Sequence, residues 1–98
     1  MSTQNKVNLI LKNIFSDPSY IEIICSLYDK ELNLSEIADI VNLEHDTVST
    51  HLVSLEEIHL VKKFSRNGEY FYSSANSKVC NSIISLKDAI YSIARDNK

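Results

Sequence analysis

Apolar residues recur at helical spacing up to Ile58, take a strand-like pattern between Leu60 and Ser73, and return to helical spacing after Asn76. Val7, Ile10, Leu11 and Ile14 predict a first helix from Asn5 to Phe15. Ser16-Asp17-Pro18 ends it and opens the next. Pro18 suits the first helical position, where its missing N–H costs nothing, with Asp17 as N-cap. From Ser19 to Tyr28 the apolar residues Tyr20, Ile21, Ile23, Ile24, Leu27 and Tyr28 cover a broad face, as expected of a helix buried on more than one side. A short third helix is predicted from Ser35 as capping hydroxyl, with Leu34 as staple and Ile37, Ala38 and Val41 inward. Asn42-Leu43-Glu44 forms a turn. A fourth helix, starting at His45 or Asp46 and running to Ile58, carries the core stripe Val48, Leu52 and Leu55. Two short helices joined by so tight a turn read as a helix-turn-helix. Leu60–Phe64 and Glu69–Ser73 then read as strands, and Asn67-Gly68 between them demands a type I′ hairpin turn. After Asn76 a last helix to about Arg95 carries Val79, Ile83, Ile84, Leu86, Ile90, Tyr91 and Ile93, more apolar surface than a terminal helix on a small monomer needs.

Composition sharpens this picture. The chain has 98 residues, expected to form one domain across 1–98, with 44% apolar and 23% charged residues, so it can bury a core. One Gly and one Pro argue against many short strands and against a glycine-rich phosphate loop. No apolar run approaches the length of a membrane span and the N-terminus does not read as a secretory signal, so no membrane partner is expected. Two cysteines make no disulfide scaffold, which points to a reducing cytoplasm. The net charge of −3 argues mildly against non-specific binding to nucleic acid.

The predicted order is mainly α with a β-hairpin wing, α-α-α-α-β-β-α, the layout of a winged helix-turn-helix. Over roughly Ile14–Ser74 the residues resemble the ArsR/SmtB-type repressors of bacteria and archaea. The resemblance runs through Phe15-Ser16-Asp17-Pro18, Leu34-Ser35-Glu36-Ile37-Ala38 and Val41-Asn42-Leu43. It is clearest in Thr47-Val48-Ser49-Thr50-His51-Leu52, followed by Leu55-Glu56-Glu57 and Leu60-Val61, and it ends at Tyr70-Phe71-Tyr72-Ser73. It implies a homodimer that binds a double-stranded DNA operator and responds to an inducer, and the apolar excess of the first and last helices predicts that they form the dimer contact. The fourth helix would enter the major groove and the wing would touch the flanking backbone. On that reading Thr47, Ser49, Thr50, His51 and, less centrally, Ser54 are candidate base or phosphate contacts, and Lys62, Lys63 and Arg66 grip the backbone.

The chain departs from the family in two respects. Metal sensors of the family carry Cys-x-Cys at the third helix, where Leu32-Asn33-Leu34-Ser35 stands here. Others use Asp-x-His and a histidine pair on the last helix; here Asn76, Ser77, Lys78 and Tyr91 occupy that region, and no histidine does. No metal site or cofactor is therefore expected. His45, His51 and His59 do not converge, and His59 reads as a left-handed helix terminus. Cys25 stands where thiol sensors of the family carry one redox cysteine, but Cys80 lies too early on the last helix for their second. Two small buried thiols is the plainer reading. The second departure is charge. Between Lys30 and Lys62 there is no Lys or Arg, against seven acids: Glu31, Glu36, Asp39, Glu44, Asp46, Glu56 and Glu57. Thr50 stands where the family commonly has Arg, and the outward face is expected to show Asp46, Thr50, Val53, Ser54 and Glu57. Two functions compete: a DNA-binding regulator, and a winged-helix interaction module that has lost DNA binding and offers its acidic face to a basic protein. No nucleophile–base or carboxylate pair stands in a recognisable motif, so no enzyme is expected.

Overall fold

A computed structural model describes residues 2–96. Helices α1 (Thr3–Phe15), α2 (Pro18–Ser26), α3 (Leu34–Val41) and α4 (His45–Glu57) precede strands β1 (Val61–Arg66) and β2 (Glu69–Ser74), and α5 (Ser77–Asp96) closes the chain. α1 starts two residues before the predicted Asn5 because the Ser2 hydroxyl accepts from the Asn5 N–H and caps it. α2 is capped by Asp17 with Pro18 at its first turn, as the sequence implied, but stops at Ser26 rather than Tyr28. The α3 cap is Asn33, not Ser35. Asn33 Oδ1 accepts from the Glu36 N–H at 2.8 Å while the Glu36 carboxylate accepts from the Asn33 N–H at 2.9 Å, a reciprocal capping box that makes Leu34 the first helical residue.

Left-handed residues end two helices. Asn42 (φ 57°) closes α3, and His59 (φ 64°) follows α4. The Leu60 N–H reaches the Leu55 carbonyl and the His59 N–H that of Glu56, both at 3.0 Å, which is a Schellman motif. Leu60 is spent on that motif, so β1 begins at Val61. It also runs past the predicted Phe64 to Arg66, because the loop is only Asn67-Gly68, with φ of 53° and 80°. The strands pair antiparallel from Val61↔Ser74 to Arg66↔Glu69.

α2 forms the centre: α1, α3, α4 and α5 all pack on it. Ile23, Ile24 and Leu27 meet Ile37 and Ala38 of α3, Val48, Leu52 and Leu55 of α4, Val61, Tyr72, and Cys80 and Ile83 of α5 in one apolar cluster. The stripe Val48/Leu52/Leu55 is fully buried, which fixes the rotation of α4 about its axis. No described helix is long and apolar enough to cross a membrane.

Candidate nucleic-acid interface

With its inner stripe locked into the core, α4 turns Asp46, Thr50, Val53 and Glu57 outward at helical spacing. The predicted contact residues divide. Thr50 is fully on this face, its hydroxyl turned back to donate to the Asp46 carbonyl at 2.9 Å. Thr47, Ser49 and Ser54 are half-buried on its flanks. His51 points inward. Its ring stacks on Tyr20 with centroids 4.2 Å apart, and its side chain is only 13% exposed. Nε2 lies 2.9 Å from the Ser19 hydroxyl and 3.8 Å from Asp17 Oδ2. Ser19 donates to the Asp17 carboxylate at 2.7 Å, the stronger acceptor, so His51 donates from Nε2. Nδ1 is then a bare buried acceptor, without a partner among the described residues. Hydrogen bonds from the Ser19 backbone and hydroxyl hold the Asp17 carboxyl below its ordinary pKa. His51 is thus a brace between α4 and the start of α2, turned inward rather than onto the outer row where a groove contact was expected.

The wing cations also divide. Opposed residues share a face, so Lys62, Phe64 and Arg66 lie on one side of the hairpin, and Lys63, with Ser65, Tyr70 and Tyr72, on the other. Lys63 Nζ sits 4.3 Å over the Tyr70 ring. The Arg66 guanidinium lies 5.4 Å from the centroid of Phe64 and 5.6 Å from that of Phe71. It also donates to Glu31 at 3.0 Å. Glu31 begins a strap the sequence did not reveal. Leu32 and Tyr72 exchange backbone hydrogen bonds of 3.0 and 2.8 Å, and the Asn33 amide donates to Glu69 at 3.3 Å. Three consecutive residues before α3 thereby set the angle of the wing.

Residues 17–63 match the arsR family of bacterial regulatory proteins. No curated protein sequence matches the chain. Among solved structures, the transcriptional repressor PagR of Bacillus anthracis is 30% identical, with 86% of this chain and 95% of PagR aligned at a TM-score of 0.73. The chain belongs to the ArsR family. HlyU from Vibrio cholerae is 26% identical over 91% of this chain and 97% of its own, at a TM-score of 0.76. A Mycobacterium bovis protein described as a homodimeric winged helix-turn-helix DNA-binding domain shares the fold at a TM-score of 0.80, with 17% identity over 96% of this chain and 86% of that one. Membership makes the chain a DNA-binding transcriptional regulator of winged helix-turn-helix fold, a class that binds rather than catalyses.

The other candidates of the ArsR reading lie off the outer row of α4. Cys80 is fully buried and donates to the Ile24 carbonyl at 3.2 Å. Cys25 is half-buried; burial pushes its thiol up, offset in part by the Lys87 ammonium. His45 sits exposed at the start of α4, and His59 at its far end. Among the described residues no three His, Cys, Asp or Glu side chains converge as metal ligands would.

Proposed function

We propose that this ArsR-family chain acts as a homodimer that inserts α4 into the major groove of an operator and represses transcription from the cytoplasm. The observation that carries the reading is the fixed rotation of α4: its apolar stripe is buried in the core, and Asp46, Thr50, Val53 and Glu57 form a continuous outer row. Thr50 reads bases at the centre of that row, and Thr47, Ser49 and Ser54 meet phosphate or base edges at its margins. Lys62 and Arg66 share one wing face and grip the backbone; Lys63 does so from the other side. The dimer surface is the apolar excess of α1 and α5. Val7, Leu11 and Phe15 are 43–54% exposed, and Ile90, Tyr91 and Ile93 are 54–69% exposed. That much apolar surface on the first and last helices is stabilised by burial against a second copy. Repression is proposed from the likeness to the transcriptional repressor PagR. Cys80 is fully buried in the core and Cys25 packs against it, and burial raises the Cys25 thiol's pKa, which disfavours a thiolate; the two cysteines serve packing.

One observation favours the rival reading: Asp46 and Glu57 put two carboxylates on the outer row, where a basic protein would fit. Selection of bound duplexes from a random pool, with sedimentation at tens of micromolar, tests both. The regulator yields an enriched palindromic site and a species of twice 11.2 kDa. No enrichment at low salt, or a monomer, refutes it.

A further inference from the structure

The outer row of α4 contains no cation and only one hydroxyl, and that hydroxyl is already engaged. Thr50 Oγ1 donates its single proton to the Asp46 carbonyl at 2.9 Å. It has none left for the N7, O6 or O4 acceptors that major-groove donors read. What the exposed Thr50 side chain still offers is its methyl. Val53, three residues on, is 51% exposed and adds two more methyls to the same row. Residues three apart on a helix stand roughly 5–6 Å apart, and successive bases on one strand rise about 3.4 Å. Two such apolar groups therefore meet neighbouring or next-neighbouring base pairs. The one apolar feature of the major-groove edge is the C5-methyl of thymine.

We infer that Thr50 and Val53 are a thymine-methyl reading pair and that the operator carries thymines at the two positions beneath them. This rests on the placement of α4 in the major groove proposed above. The flanking carboxylates sharpen it: Asp46 and Glu57 are acceptors only and repel the acceptor edge of guanine, so the row disfavours G where Arg would select it.

The test uses the full-length protein and the duplex selected from a random pool, with each thymine of one half-site replaced in turn by deoxyuridine, which lacks only the methyl. Wild-type Kd is expected to rise about four-fold at each of one or two thymines, which is about 0.8 kcal/mol per methyl removed. Thr50→Ser, which keeps the hydroxyl and loses the methyl, should bind thymine and uracil duplexes alike at one position. Thr50→Val, which keeps a methyl and loses the hydroxyl, should retain discrimination there. Val53→Ala should lose it at the other. Tight, selective binding with less than two-fold change at every thymine overturns the inference and leaves the regulator standing. Uracil sensitivity untouched by Thr50→Ser and Val53→Ala removes its assignment to this pair. A protein that binds no duplex refutes the DNA-binding placement itself, and the reading pair with it.

Discussion

The Arg66 side chain cannot hold Glu31 and a DNA phosphate at full strength together, so Glu31 should act as a competitor for the wing. The pair is 3.0 Å long with both side chains about half exposed, at 56% and 50%. An exposed pair of this kind is worth about 0.5 kcal/mol. A dimer must weaken two, so Glu31→Gln should tighten binding by about 1 kcal/mol, or about five-fold. In an Arg66→Ala background the same substitution should gain nothing, and that double-mutant comparison separates the latch from a general loss of negative charge. The salt dependence supplies a second readout. Lys62 and Arg66 on one wing face and Lys63 on the other bring six cations of a dimer to phosphate, so log Kd should rise with log salt at a slope of about 5.4. Arg66→Ala in both protomers should flatten it by about 1.8 while weakening operator and random duplex alike. Fluorescence anisotropy across a salt series measures both quantities. An unchanged Kd for Glu31→Gln, or a gain that persists without Arg66, refutes the competition.

Other expectations follow from single contacts. His51→Ala removes an aromatic stack and a hydrogen bond, about 2 kcal/mol together, and should lower Tm by about 10 °C at fixed protein concentration, whereas Thr50→Ala should move it little; an unchanged Tm with impaired operator binding would return His51 to the groove. His59→Gly relieves a left-handed residue and should stabilise by about 0.5–1 kcal/mol in urea unfolding; an unchanged or lowered stability would refute the strain at this position. Cys25 should alkylate more slowly than a free thiol at neutral pH and more slowly still in Lys87→Gln, because burial raises its pKa and Lys87 lowers it. The matching contribution to stability is complete below the ordinary thiol range of about 8.5 and is lost as pH rises through the raised value; alkylation as fast as a free thiol would show an activated cysteine instead.

Features written in adjacent residues were legible, and those made by residues far apart were not. The Asn67-Gly68 turn, the Asp17-Pro18 start of α2, the left-handed His59 and the Val48/Leu52/Leu55 stripe each depend on local backbone chemistry. The cap of α3 was misread although its signal was present: Asn33 and Glu36 stand at capping-box spacing, and Ser35 is merely another residue able to cap. The strap could not be read at all. Glu31 meets Arg66 and Asn33 meets Glu69 across separations of 35 and 36 residues, and no periodicity encodes such a meeting. The inward turn of His51 was illegible for the same reason. The residue flanks the apolar stripe, where a polar residue normally turns to solvent, and only Tyr20 and Ser19, from another helix, draw it inward.

That inward turn also bears on the acidic character of the helix. With His51 and its partners holding α4 to α2, the outer row need not contribute to stability and is free to be unfavourable toward phosphate. The repulsion of phosphate by Asp46 and Glu57 weakens binding to every duplex by a similar amount, their repulsion of guanine edges adds to discrimination, and contacts made by Thr50 and Val53 add only where the bases match. Uniform repulsion leaves the ratio of specific to non-specific affinity intact and lowers the share of protein held on random DNA, because phosphate attraction supplies nearly all non-specific binding. The shortage of cations on α4 is therefore compatible with a selective regulator, provided the wing supplies the anchoring charge that the recognition helix lacks.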